Sequence, residues 1–525
     1  MLVRRSGRAR DPDHLSTPGS HGFGHVADLT REVAEFFKNP KSSQGDVDRQ
    51  PQYGRAVPAA VSSRIDPVVL FFCGGAFFVC YLGQTVLGVI EPAVQADLGL
   101  SPSEGQWVIN SFFLALALCA APGGRLGDYY GHRNVLLVAL AVFSLGSLSA
   151  AFADGFAWLV VSLAVAGMGA STLYPSSAAL VANSTQPETR GHVLGKYSAI
   201  GVSVFALGPV TAGLLTDAAS WRLVFALQLV LAVGLALLGW RRVHEQPAGT
   251  PRPFDTGGLV ILVLGLGAVL VALMQALAWG WDSPATLALL FVGLAVLAFF
   301  GRFEARKVDP LLRTTFLAGR VFLGVAVAMF AAQFILNGLV IYIATYFQHV
   351  LGFSALFAAA AMVPAMIGAP CFALIAGRVT DRLGARGPAT FGFLLGVAAF
   401  AWLAIFAGDS DYWLLLPGLI AAGVAMAPMF TALLTALSNA VPAAERGDAN
   451  ALVLTIRWIG AAAGTAVLGV VIRSAPGGET ATAGYAAAFW VATAVVAIGA
   501  LACLFLLRES GDAERRRPDP PAPLA

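Results

Sequence analysis

Charge is what this chain has least of. Asp, Glu, Lys and Arg make up 12% of its 525 residues, against about a quarter in a soluble domain, and 57% of it is hydrophobic. That balance excludes a soluble globular protein. Cysteine is scarce as well. Cys73, Cys80, Cys119, Cys371 and Cys503 all fall inside apolar runs with no CxxC pair, so neither a disulfide framework nor a thiolate metal site is expected. The histidines give no i, i+4 pair of the kind that holds zinc on a helix; His14, His21 and His25 form a loose group in a polar tail that reads as flexible. There is no Gly-x-Ser-x-Gly elbow and no close carboxylate pair. The stretch Gly191 to Tyr197 imitates a phosphate loop, but it is one residue short between its glycines and has Tyr where Ser or Thr should follow the Lys. Enzymatic chemistry, ATP hydrolysis, a metal and a cofactor are therefore not expected, and neither is nucleic acid as a partner.

What the chain does have is apolar runs of roughly 20 residues, each long enough to cross a bilayer as a helix. Fourteen spans are expected, at 67–90, 106–124, 134–153, 157–181, 193–216, 222–240, 257–278, 285–303, 321–347, 354–377, 387–407, 412–437, 449–472 and 483–507. Residues 1–65, rich in Pro, Gly, Ser and Arg, read as a mostly disordered tail. Within it Val26, Leu29, Val33 and Phe36 have helical spacing, so an amphipathic helix at 26–38 and a dispensable extension are both open readings. Charge orients the spans. With the N-terminus in the cytoplasm, Arg125, Arg133, Arg190, Lys196, Arg241, Arg242, Arg302, Arg306, Lys307, Arg313, Arg378, Arg386 and Arg446 fall in inner loops. The outer loops keep Arg222 and Arg473 against nine carboxylates that include Glu91, Asp97, Asp217 and Asp411. Lys and Arg favour the cytoplasmic side, so both termini are expected inside a multi-pass protein of the plasma membrane.

Two ten-residue stretches say nearly the same thing. Gly124-Arg125-Leu126-Gly127-Asp128-Tyr129-Tyr130-Gly131-His132-Arg133 follows span 2, and Gly377-Arg378-Val379-Thr380-Asp381-Arg382-Leu383-Gly384-Ala385-Arg386 follows span 10. A charged, glycine-bracketed turn repeated between spans points to a transporter built from two related halves. A six-helix repeat would place the second copy after span 8, so two helices are inserted, most simply spans 7 and 8. The expected organisation is a tail at 1–65, a six-helix bundle at 66–242, two inserted helices at 243–310, a second six-helix bundle at 311–508 and a short cytoplasmic tail at 509–525.

On these residues the chain resembles the major facilitator superfamily, in its fourteen-helix drug:proton antiporter branch, over about residues 75–475. Gly124, Asp128, Gly131 and Arg133 match the family's loop signature and Gly377, Asp381, Gly384 and Arg386 its second copy; the resemblance implies that these loops latch the cytoplasmic gate. In span 5, Gly201, Gly208, Pro209 and Gly213 resemble the glycine–proline motif of exporters, with Val204 and Ala212 where the family usually has Gly. Proline kinks such a helix and small residues let neighbours pack closely. Trp221-Arg222, Phe254-Asp255, Trp279-Gly280-Trp281 and Tyr346-Phe347-Gln348 are further matches to the branch. The implied fold is all-α, two six-helix bundles with two extra helices between them. The implied activity is alternating-access export of small lipophilic compounds against protons, by a monomer in the lipid bilayer.

The likeness fails where the coupling chemistry should be. Span 1 of this branch carries an Asp where Gly83 stands here, and span 4 an Arg and a Gln where Leu163 and Ala166 stand. Coupling needs a titratable group facing the cavity. The carboxylates left are Glu91, roughly 12 Å along the helix from Gly83 at about 1.5 Å per residue, and Asp217 at the end of span 5. Glu91 reads either as a solvated rim charge or as the relocated coupling group. Arg457 is the one cation well inside a span and reads as snorkelling, held by a structural partner or attracting an anion. Gln84, Asn110, Gln333, Asn337, Tyr342 and Arg457 are candidates to line a cavity between the halves. Without a buried carboxylate that cavity should favour neutral or anionic lipophiles over multiply charged cations. Two other activities stay open: an uncoupled facilitator, and a transporter-derived sensor or scaffold.

Overall fold

The computed structural model describes residues 66–185, 190–244, 255–307, 310–409, 411–442, 445–476 and 482–507. The tails, with the amphipathic helix expected at 26–38 and the histidine group, lie outside the described residues. So do the side chains of Gly124, Arg125 and Asp128 in the first decapeptide.

The described residues are nearly all helical, as a chain without water to bond its backbone must be. Sixteen α-helices follow one another: α1 Pro67–Thr85, α2 Leu87–Leu98, α3 Pro102–Tyr130, α4 His132–Ala151, α5 Phe156–Asn183, α6 Arg190–Val202, α7 Val204–Ala218 and α8 Arg222–Arg242 come first. Then come α9 Thr256–Trp279, α10 Pro284–Glu304, α11 Arg320–His349, α12 Ala355–Leu383, α13 Arg386–Phe406, α14 Tyr412–Ala440, α15 Arg446–Ser474 and α16 Thr482–Leu506. Spans 1 and 5 are each broken in two, α1/α2 at Val86 and α6/α7 at Ser203, and Pro92 and Pro209 lie just beyond the breaks.

Among the described residues thirteen helices are long and apolar enough to cross a membrane. The second expected span corresponds to α3, a helix of 29 residues with several side chains outside the described residues. Its start is fixed by a capping box: the Glu104 backbone N–H donates to Ser101 Oγ and the Ser101 N–H to Glu104 Oε2, at 3.4 and 2.8 Å. That pairing, led by the Ser101 bonds, holds the Glu104 carboxyl below its usual range. Asp66, Ser354 and Asp411 cap α1, α12 and α14, each accepting one backbone N–H of the first turn.

The first decapeptide turns through Gly131 (φ 87°) and the second through Gly384 (φ 77°), a left-handed backbone at the same place in both copies. An even number of spans separates the turns, so they fall at one end, the motif end. α1–α8 pack among themselves, as do α11–α16, and α9 pairs with α10. α9 also touches α3 and α15, one helix from each half. α10 leaves Phe291, Val292, Leu294 and Phe299 exposed, the pattern of a lipid-facing helix, whereas α11 is the most enclosed of the spans. One boundary shift bears on the site. Arg473, expected in a loop, is inside α15 and 9% exposed, because the helix runs two residues past the end of the apolar run.

Candidate functional site

The two halves meet at the end opposite the decapeptides. There Glu91, on α2, is fully buried, and Arg473 Nη2 on α15 donates to its Oε1 at 3.2 Å. Gln95, one turn further along α2, also donates to Oε1. Gly105 closes over this oxygen: a Cβ there would stand 2.5 Å from it. Glu91 is therefore not a solvated rim charge. An ion pair taken out of water is held by its geometry, and removing one partner typically costs about 3–5 kcal/mol because the other charge stays buried.

More contacts cross the halves around it. Gln106 Nε2 donates to the Ala466 carbonyl at 3.0 Å and Gln348 Nε2 to the Val89 carbonyl at 3.2 Å. Asp217, the second coupling candidate, accepts the backbone N–H groups of Ala355 (3.2 Å) and Leu356 (2.9 Å) at the N-terminus of α12. A carboxylate suits a helix N-terminus. Asp217 is exposed while Glu91 is not. Two glycines set the closeness of this seam: a Cβ on Gly213 would stand 2.6 Å from the Ala355 carbonyl, and one on Gly88 would stand 2.5 Å from Ile341 Cα. Thus Gly213, in the exporter-type motif, packs against the other half, while Gly201 and Gly208 pack against Phe77 and Thr85 of α1, and Pro209 is buried beside them.

Beside the same end, Asp97 accepts from Arg222 at 2.5 Å and from the Trp221 indole at 3.1 Å, joining α2 to α8 within the first half. The Arg222 bond is the main reason its carboxyl is held below the usual range.

Near the middle of α11 a second polar group forms. Arg457 of α15 donates to Gln333 Oε1 through Nε (3.1 Å) and Nη2 (2.9 Å), and Nη2 reaches the Tyr81 hydroxyl at 3.4 Å. Gln333 Nε2 donates to Asn337 Oδ1 (2.6 Å), Asn337 Nδ2 to Gln84 Oε1 (3.2 Å), and Gln84 Nε2 to the Cys80 carbonyl (3.2 Å). Four of the expected cavity residues, Gln84, Gln333, Asn337 and Arg457, thus form one chain across the two halves. Arg457 does not snorkel; its guanidinium turns inward. Tyr342 is one and a half turns along α11 and donates to the Thr465 carbonyl at 2.5 Å instead. Asn110 is fully buried with neither amide atom bonded, outside the chain.

The missing relay is packed over. A Cβ on Gly83 would stand 2.8 Å from Phe112 Cζ and 3.1 Å from Phe143 Cε2, so phenylalanine rings fill the space a carboxylate would need. Leu163 and Ala166 are buried in the apolar core. At the motif end, Arg133 donates to the Gly239 and Trp240 carbonyls at the end of α8 (3.4 and 2.8 Å), and Arg386 to the Leu504 carbonyl at the end of α16 (3.1 Å). Each copy ties its turn to the last helix of its own half, where a cation suits the helix C-terminus. Asp381 and Gly377 stand beside that second turn, Asp381 exposed.

Sequence reasoning missed Arg473, Gln95 and Tyr81. For Arg473 the signal was present: an isolated Arg one residue beyond an apolar run, with a lone Glu near the end of another. Nothing in the sequence pairs Tyr81 with a residue so far along the chain.

The sequence profile of the Major Facilitator Superfamily matches residues 73–465 and 372–525. The tetracenomycin C resistance and export protein of Streptomyces glaucescens is 29% identical over 78% of this chain and 76% of its own. The puromycin resistance protein pur8 of Streptomyces alboniger is 32% identical over 75% of this chain and 79% of its own. Among solved structures, a D-xylose-proton symporter superposes with a TM-score of 0.61 at 15% identity, covering 84% of this chain and 97% of that one, a likeness of fold. The family match makes this chain a transporter, not an enzyme. The chain belongs to the Major Facilitator Superfamily, beside members named for drug resistance and export.

Proposed function

We propose that the protein is a proton-driven exporter of small lipophilic compounds in the plasma membrane, working as a monomer with both termini in the cytoplasm. Its bundles, 66–242 and 311–508, rock about a central cavity, with 243–310 as an inserted pair. The observation that carries this reading is the buried ion pair between Glu91 and Arg473, which joins the halves at one end only of the interface. On this orientation that end faces outside, so the conformer has its outer gate shut. The exporter-type glycine Gly213 lies in the same seam, and the relatives named for export and resistance support the direction of transport.

Coupling follows from the pair. When the halves part, Glu91 leaves Arg473 and meets external water, where it takes a proton. On closure Arg473 displaces that proton, since a cation beside a carboxylate favours its ionised form, and the proton leaves to the cytoplasm through the cavity, which then opens inward. Asp217 holds the N-terminus of α12 and serves as a latch. The decapeptides, through Gly124, Asp128, Gly131, Arg133 and their second copies, form the corresponding cytoplasmic latch.

The test is proton release from inside-out vesicles with an acid interior on adding lipophilic compounds. Release that depends on compound and is lost in Glu91→Gln, but kept in Asp217→Asn, is expected. Compound uptake without proton movement makes the protein a facilitator, a reading that the rings packed over Gly83 favour; binding without uptake makes it a sensor.

A further inference from the structure

Among the described residues the charge of Arg457 meets no counter-charge. Its partners are an amide oxygen (Gln333), the phenols of Tyr81 and Tyr174, and the face of Phe430, whose ring centroid lies 5.1 Å from the guanidinium carbon. All are neutral. Among the described residues no carboxylate ion-pairs with it, and the buried carboxylate of the neighbouring seam, Glu91, is committed to Arg473. The amide chain behind it runs one way. Each link from Gln333 through Asn337 to Gln84 turns its oxygen toward Arg457 and its N–H₂ away, ending on the Cys80 carbonyl. This arrangement solvates a cation with dipoles and spreads its charge without cancelling it. A cation at membrane depth lacking an anion is costly, and such residues mark substrate and ion pathways.

The surroundings fit the other half of a ligand. Gln333 and Gln84 are shut away at 0% and 1% exposure, whereas Arg457 keeps a partly open face. That face is set among rings: Tyr81 packs edge-on against Tyr174 and Phe205, at centroid distances of 6.2 and 5.3 Å, and against Trp458 at 5.7 Å. Tyr174, Phe205 and Phe430 are themselves partly open. Aromatic faces take flat ring systems, and a guanidinium takes a carboxylate, sulfonate or phenolate.

Resting on the exporter reading, we infer that this chamber selects aromatic lipophiles carrying a single negative charge, with Arg457 supplying the missing counter-charge and the ring cluster holding the apolar body. The fixed positive charge acts against cations as well as for anions, so selectivity comes from both signs.

Two probes share one aromatic framework and differ in charge: 8-anilino-1-naphthalenesulfonate and neutral N-phenyl-1-naphthylamine. Their binding to the full chain in nanodiscs, with empty discs subtracted, should favour the sulfonate at least tenfold. Arg457→Gln should abolish that preference while leaving the neutral probe within about twofold. Arg457→Lys, which keeps the charge but loses the fork onto Gln333, should retain most of the preference; a purely structural Arg457 would fail in both variants alike. Equal binding of the two probes to the wild type, tighter binding of the cation ethidium, or an unchanged preference in a monodisperse Arg457→Gln protein overturns the inference. Transport keeps the two readings apart. Uptake of neutral or cationic compounds with no charge-dependent binding leaves an exporter without this selectivity, and charge-dependent binding without any uptake leaves the site without the exporter.

Discussion

The two ends of this molecule are held by different kinds of bond. At the far end, besides the Asp97 to Arg222 pair within the first half, polar contacts run between the halves: Glu91 to Arg473, Asp217 to the start of α12, Gln348 to Val89 and Gln106 to Ala466. At the motif end the described polar contacts stay within a half, within the inserted pair or between that pair and the second half: Arg133 on α8, Arg386 and Arg320 on α16, Arg313 on Glu445 and Asp448, Lys307 on Asp255, and Leu312 and Thr314 on Glu304 and Gly301. The difference teaches which interface is built to part. Bonds within a half survive a rocking motion, whereas bonds between halves must break in it, so the far-end contacts set the energy of opening.

The largest effect should come from the buried pair. Arg473→Gln strands Glu91, and Glu91→Gln leaves Arg473 without its carboxylate; each should destabilise the closed seam by about 3–5 kcal/mol. Hydrogen exchange in α2 and in the last turn of α15 should rise by about 100-fold or more, with exchange in α13 and α16 near the motif end little changed. The double variant should recover most of the protection. Unchanged exchange in both single variants would show that the pair does not hold the seam.

Glycine substitutions sharpen the same contrast. Gly88→Leu drives a side chain into the Ile341 backbone and should open the far end at a cost of about 1–3 kcal/mol. Gly377→Ala at the motif end meets only Thr431 Cγ2, at 3.9 Å, and should leave thermal stability within about 0.5 kcal/mol. If transport by Gly377→Ala nonetheless falls, the glycine is needed in the conformer where the motif end closes. A smaller effect is expected of Asp217→Asn. It keeps one acceptor oxygen for the two α12 N–H groups but loses the other together with the charge, about 0.5–1.5 kcal/mol at an exposed site, visible as a modest rise in α12 exchange.

Much of this architecture is legible in the amino-acid sequence. Hydropathy runs mark the helices because a lipid-spanning backbone has few alternatives, and the matched turns at Gly131 and Gly384 announce the repeat because left-handed backbone asks for glycine. The polar chain across the halves is legible in its members, Gln84, Gln333, Asn337 and Arg457, since polar residues inside apolar runs stand out. What joins them is not. Glu91 and Arg473 are 382 positions apart, and each alone reads as the edge of a loop. The closure over Gly83 is equally hidden, because Phe112 and Phe143 are ordinary apolar residues until the fold brings their rings to that spot.

The smallest effect separates holding a half together from holding the halves together. Arg133→Ala and Arg386→Ala each remove a cation from a helix C-terminus, worth about 0.3–1 kcal/mol. The equivalent bonds in the two copies predict equivalent losses, read as a drop in melting temperature of a few degrees or less. Neither change touches the far end, so exchange in α2 and at the end of α15 should stay at the wild-type rate. A far-end response to Arg386→Ala would mean that the turn transmits to the seam through α12, whose two ends carry the second decapeptide and the Asp217 contact. The contrast between the ends would then be one of strength only, because a single rigid helix would be linking a bond within a half to a bond between halves.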